Sequence, residues 1–156
     1  MSWTPTRAQL GGLSLDVAEC YGKPHIGAHY TNSHVKSHKP DWDAVCAVCR
    51  RRIGSVHHIP PLSKGHTFTM KTPVGQFVLR PSLFALCGNG TMGCHNGFHG
   101  GALYKARWKW DSDEYARMWW EGEFLRRMRP HSRELYRYGC WVIEDIRNGW
   151  SIEVRK

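Results

Sequence analysis

Between Cys46 and Trp110 this chain has no aspartate and no glutamate. The same stretch carries Arg50, Arg51, Arg52, Lys64, Lys71, Arg80, Lys105, Arg107 and Lys109. Residues 1–45 hold four acidic and four basic side chains, and residues 111–156 hold nine of each, so the whole formal net charge of +9 sits in the carboxylate-free stretch. A carboxylate ligand would have to come from outside this stretch. A region of this size without acids attracts polyanions, of which nucleic acid is the commonest. No apolar run is long enough to cross a bilayer, and Met1-Ser-Trp-Thr-Pro-Thr-Arg7 is polar where a secretory leader would be apolar, so a soluble, cytoplasmic protein without a membrane partner is expected. Repeats and low-complexity tracts are absent. Without a leader, the six cysteines read as metal ligands rather than a disulfide framework.

At 156 residues the default is one domain. Residues 1–45, rich in Gly, Pro, His, Ser and Thr, read as an irregular arm or cap with a weak helical signal near Ser14 to Cys20. His34 and His38 are spaced to clip a metal, but loop histidines at a surface are the preferred reading. Residues 46–110 form the central unit: a knuckle at Cys46, a strand ending near His57, and a loop at Pro60-Pro61. A hairpin of Thr67 to Met70 with Gln76 to Leu79 follows, then the run Leu83 to Leu86, a short helix over Cys94 to His99 and a strand over Leu103 to Trp110. Residues 111–156 are an extension. Asp111-Ser-Asp-Glu114 starts a helix whose apolar stripe Ala116, Trp120, Phe124 and Met128 runs at steps of four until Pro130. That stripe keeps one face and reads as core packing. Trp141 to Ile146 and Trp150 to Val154 flank Asn148-Gly149, a hairpin signal.

Four thiols and the imidazoles of His57, His58, His95 and His99 crowd the central unit. Cys46-x-x-Cys49 supplies two sulfurs from one tight turn, and Cys87 and Cys94 close a tetrahedral thiolate set for zinc. Six residues separate the second pair, and Gly88, Gly90 and Gly93 allow the larger turn. Four thiolates leave no open position, so this zinc is structural and adds folding free energy. On a helix, His95 and His99 stand at i and i+4 and can share an ion, while Cys94, about 100° from His95, faces elsewhere. His57 and His58 are neighbours on a strand, so they point apart and take different roles. Two helix imidazoles and one from the strand leave positions open on an ion, as catalytic sites do.

His57-His58-Ile-Pro60 followed by Leu86-Cys-Gly-Asn-Gly-Thr-Met-Gly-Cys94-His95 resembles the HNH endonuclease family, the ββα-metal nucleases, and especially its small phage and prophage members. The resemblance covers about residues 46–99. It implies a zinc-stabilised ββα-metal, treble-clef-like core, and with the helix after Asp111 and the C-terminal β-hairpin read above the expected fold is α+β. It further implies His58 as general base and His57, His95 and His99 as ligands of one catalytic divalent ion, Ni²⁺, Co²⁺, Mn²⁺, Zn²⁺ or Mg²⁺. DNA would be the substrate, phage packaging proteins possible partners, and a phage or bacterial cell the setting. The family asparagine that precedes the leucine ahead of the cysteine pair is here Ser82, so Asn89 or Asn96, or more weakly Ser82, would take its place.

The leading expectation is therefore a metal-dependent DNA endonuclease hydrolysing phosphodiesters, with Arg50, Arg51, Arg52, Lys64 and Arg80 along the phosphates. The alternative is a zinc-stabilised DNA-binding or inhibitory module that keeps the core without turnover. An imidazole ligand set favours Ni²⁺, Co²⁺, Zn²⁺ or Mn²⁺ over Mg²⁺, which prefers oxygen.

Overall fold

Short antiparallel pairings rather than one continuous sheet organise the chain. The computed structural model describes residues 3–31, 37–99 and 102–155. Two single-turn helices, α1 (Arg7–Leu10) and α2 (Leu15–Ala18), precede a hairpin of β1 (Ala28–Tyr30) and β2 (His38–Pro40). Next come β3 (Ser55–Ile59), the hairpin β4 (Phe68–Thr72) and β5 (Gly75–Leu79), β6 (Ser82–Leu86) and α3 (Gly93–Phe98). The remainder is β7 (Tyr104–Trp110), α4 (Asp113–Trp120), α5 (Glu123–Arg127), β8 (Gly139–Asp145) and β9 (Ser151–Val154). The fold is mixed α/β, built of small sheets and few helices.

The element that positions the site is β6. Its five residues are all buried, which explains why Ser82-Leu-Phe-Ala-Leu86 does not alternate between polar and apolar. One edge pairs antiparallel with β3, placing His57 opposite Phe84 and His58 opposite Leu83. At the other edge the Ile26 amide donates to the Leu83 carbonyl (2.8 Å), and the Ala85 amide donates to the Ile26 carbonyl (2.7 Å). The N-terminal residues, expected to be irregular, thus wrap the central strand. Elements of three or four residues have no period to read, which is why the sequence hid them.

Behind β3 and β6 lies a core of indoles. Trp108 on β7 pairs with Trp141 on β8 in the three-stranded sheet β7-β8-β9, so this sheet spans the junction at residue 110. Trp119, Trp120 and Phe124 pack beneath it, fully buried. In their midst Lys23, with no exposed surface, meets Glu19 at 3.1 Å and stands 3.9 Å over the Trp119 ring. Glu19 Oε1 accepts from the indole N–H groups of Trp110 (3.0 Å) and Trp120 (2.9 Å). Two buried charges are tolerable because each faces its partner and the carboxylate also takes neutral donors.

The helix expected to run from Asp111 to Pro130 is broken. α4 is capped by Ser112 Oγ, which accepts from the Tyr115 amide, and it ends at Trp120; α5 starts after Gly122, which adopts φ 86°. A Cβ at Gly122 would lie 2.4 Å from Thr72 Oγ1 and 2.5 Å from Val74 Cγ2, so the break lets the chain press against the β4–β5 turn. The apolar stripe survives the break: Trp120 and Phe124 are still both buried.

Candidate metal centres

Two turns build the thiolate group. After Cys46 the chain reverses at Arg50, a non-glycine residue at φ 69°, with the Arg50 amide donating to the Cys46 carbonyl (3.1 Å) and the Cys46 amide to Arg51 (2.8 Å). The second turn runs from Cys87 to Cys94. There a Cβ on Gly88 would fall 2.1 Å from the Met92 carbonyl oxygen, and one on Gly93 2.7 Å from that of Cys87. Both glycines have positive φ, so no other residue closes this turn without strain. The Sγ atoms of Cys46, Cys49, Cys87 and Cys94 lie within 4.8 Å of one another, and those of Cys49 and Cys87 are 3.5 Å apart. Sulfurs around one tetrahedral zinc stand about 3.8 Å apart, from Zn–S bonds of about 2.3 Å. The group therefore has the spacing to hold one metal ion.

Its electrostatics point the same way. Burial opposes ionisation of Cys46, but the backbone N–H groups of Cys49, Cys87 and Val48 aim at its sulfur and hold its pKa below the ordinary thiol range. Burial, followed by the charge of Cys46, pushes Cys94 upward. Four sulfurs this close cannot all be thiolates unless a cation sits among them.

The second group joins β3 to α3. His57 projects from the strand onto His95 of the helix and His99, the residue that caps it, with ring centroids 5.0 and 4.4 Å away. His95 and His99, one turn apart, bring their Nε2 atoms to 3.0 Å. One nitrogen from each of the three rings lies within 4.8 Å of the others, and nitrogens on one tetrahedral ion would stand about 3.3 Å apart. Phe98 stacks on His57 at 5.5 Å. Burial, then the neighbouring His99 and His95, pushes the His57 pKa down to about 3, and burial lowers that of His95. Both rings are thus neutral near pH 7 and offer lone pairs. His57 and His95 are buried while His99 is exposed, so the group opens to solvent on the His99 side.

Ser55 is a residue that the sequence reading missed. Its Oγ lies 2.5 Å from His95 Nδ1 and donates to the Gly88 carbonyl at 2.8 Å. Two places before His57 on one strand, it shares His57's face; that period of two was the available signal.

His58 takes the opposite face of β3. Its ring meets His38 edge-on at 4.8 Å and lies 6.3 Å from Tyr30, and its buried Nε2 has no hydrogen-bond partner among the described residues. Burial, then His38 and His66, drives its pKa down to about 4. His38, read as a loop histidine, is on β2, whereas His34 lies outside the described residues. Ser82 is fully buried opposite Ile59, and its hydroxyl lies 2.9 Å from the Cys20 carbonyl oxygen and 2.8 Å from that of Lys23. That hydroxyl ties the N-terminal segment to β6. The adjacent Leu83 amide donates to His25 Nδ1 (2.8 Å). Asn96 is half-buried on α3, its carbonyl accepting from the His99 amide.

Arg50, Arg51, Arg52 and Lys64 are exposed, and Arg80 is half-buried with its guanidinium 4.7 Å over the Tyr30 ring. Arg50 also lines a cleft of about 560 Å³ with His25, His29, Asp41 and His131. The three-imidazole group is not among the walls of that mixed-charge cleft; His57 lines a smaller one with Phe98 and Tyr104. Among the described residues no helix is long and apolar enough to cross a membrane. The chain matches no family model, no curated protein and no solved structure, so the donor groups and their geometry carry the functional argument.

Proposed function

We propose that this protein is a metal-dependent DNA endonuclease of the HNH type. The observation that carries the reading is the convergence of His57, His95 and His99 on two antiparallel strands and a helix, beside a closed thiolate group. In this reading Cys46, Cys49, Cys87 and Cys94 hold a structural zinc, and the three imidazoles hold one divalent ion with positions left open. Bound there, the ion stabilises negative charge on the scissile phosphate and on the departing 3′ oxygen. In this reading His58, next to His57, takes a proton from the attacking water; its Nε2 is buried on the other face of β3 with no hydrogen-bond partner among the described residues, so the ring turns toward the ion to do so. Arg50, Arg51, Arg52, Lys64 and Arg80 contact phosphates and position the duplex without reading its sequence. Ser82 receives no chemical role, because its hydroxyl is spent on Cys20 and Lys23.

A second reading, a zinc-stabilised DNA-binding or inhibitory module, is favoured by one observation: His58 packs against His38, away from the three-imidazole face. Plasmid nicking by the zinc-loaded protein with Ni²⁺, Co²⁺, Mn²⁺, Zn²⁺ or Mg²⁺ decides between them. The nuclease reading expects cleavage with the imidazole-preferring ions and weak cleavage with Mg²⁺. Binding to DNA with no cleavage under any ion would transfer the assignment to the second reading.

A further inference from the structure

We infer that Ser55 is a positioning residue which ties the imidazole group to the thiolate turn by fixing the tautomer of His95. The inference rests on the metal reading of that same group. Ser55 Oγ has a single proton. The Gly88 carbonyl, 2.8 Å away, can only accept, so that proton goes to Gly88. Oγ must then accept at its 2.5 Å contact with His95 Nδ1, and the imidazole must carry its proton on Nδ1. The lone pair is thereby left on Nε2, the atom 3.0 Å from His99 Nε2. A histidine turned the other way would present an N–H to the ion. An outer hydrogen bond that selects the free nitrogen is how proteins commonly aim a metal-ligating histidine.

The far end of this chain of bonds is the thiolate turn itself. Gly88 follows Cys87 directly, and the His95 amide donates to the Cys87 carbonyl (3.2 Å) while its neighbour Cys94 supplies a sulfur. Gly54 permits the approach: a Cβ there would lie 2.8 Å from the Gly88 oxygen. Closing the thiolate turn therefore sets where the Gly88 carbonyl stands, that carbonyl sets the Ser55 hydroxyl, and the hydroxyl sets His95. A serine is sufficient for this and leaves the stretch free of carboxylates.

Two measurements test the role on full-length protein with zinc in the thiolate group: imidazole ¹⁵N shifts, which report the His95 tautomer, and Co²⁺ titration of the remaining group. The wild type is expected to show the Nδ1–H tautomer. Ser55→Ala should lose that preference and bind Co²⁺ about 10–100-fold more weakly with zinc content unchanged, and Ser55→Thr should restore both. An Nε2–H tautomer in the wild type overturns the inference, even if Ser55→Ala fails to fold. So does a Ser55→Ala variant with wild-type tautomer and affinity. Failure of the wild type to bind Co²⁺ outside the thiolate group would overturn the metal reading itself, a result distinct from either of these.

Discussion

The two donor groups share one short helix and differ in almost everything else. The thiolate group is made by turns: Cys46 and Cys49 lie just ahead of a reversal at Arg50, and Cys87 and Cys94 flank a glycine turn. Three of its ligands come from turns and Cys94 from the start of α3, backbone amides point at the Cys46 sulfur, and four thiols close the group. The imidazole group has three donors, one ring from β3, one from α3 and one from His99, the residue that caps the end of α3. Closure suits an ion that holds the fold, and an open position suits an ion that meets a substrate. Neighbouring residues Cys94 and His95 serve different groups because consecutive helix positions diverge.

The sharpest way to break this contrast is to open the closed group. Cys46→Ala should abolish cooperative unfolding or lower the midpoint drastically, since structural zinc contributes on the order of 10 kcal/mol to small folds. Circular dichroism melts with and without chelator check this, and a variant melting like the wild type would remove zinc as a structural element. On the proposed nuclease reading, the open group and the His58 beside it should respond in activity. His58→Ala is expected to lower cleavage by about 10²–10⁴-fold while the melt and the metal content stay unchanged. Retained cutting would remove His58 as the base.

A smaller effect concerns the core that neither group supplies. Glu19→Leu strands the Lys23 ammonium and two indole donors, and should cost about 3–5 kcal/mol in urea unfolding whether or not zinc is present. A loss that vanished on chelation would mean the indole core has no stability of its own.

The smallest expected effect is acid sensitivity. Burial, followed by His131, His29 and His58, pushes His25 down to about 2, and burial pushes His131 down to about 4. Their rings stack at 4.2 Å. The unfolded chain takes up protons near pH 6.5 that the folded chain refuses, so stability from these groups is complete above about pH 6.5 and falls as pH drops below it. The decline attributable to His131 levels off near pH 4. Urea midpoints between pH 7.5 and pH 4.5, with zinc in excess, should show a shallower slope for His131→Leu than for the wild type; equal slopes would remove His131 from the effect.

Much of this was legible from residue order. The spacing of Cys46 and Cys49, the glycines between Cys87 and Cys94, and the i, i+4 step from His95 to His99 each encode a local geometry, and each geometry is present. The β4–β5 hairpin and the β8–β9 pair followed from alternation and turn residues. Gly122 hid its helix break because a lone glycine in a stripe is readable only once Thr72 and Val74 are known to press on it. Ser82 resembled a site residue by position, but its partners, Cys20 and Lys23, come from some sixty residues away.

Sequence alone determined the donor chemistry: a stretch without carboxylates, four thiols whose turns could converge, and histidines at strand and helix periods. Local spacing suffices for that, because a turn or a helical step is set by neighbouring residues. Tertiary structure decided which imidazoles belong together, sending His57 to α3 and His58 to His38, and it alone revealed the link from Gly88 through Ser55 to His95. These outcomes depend on which face of β3 is covered by α3, and that is settled by packing between segments far apart in the chain.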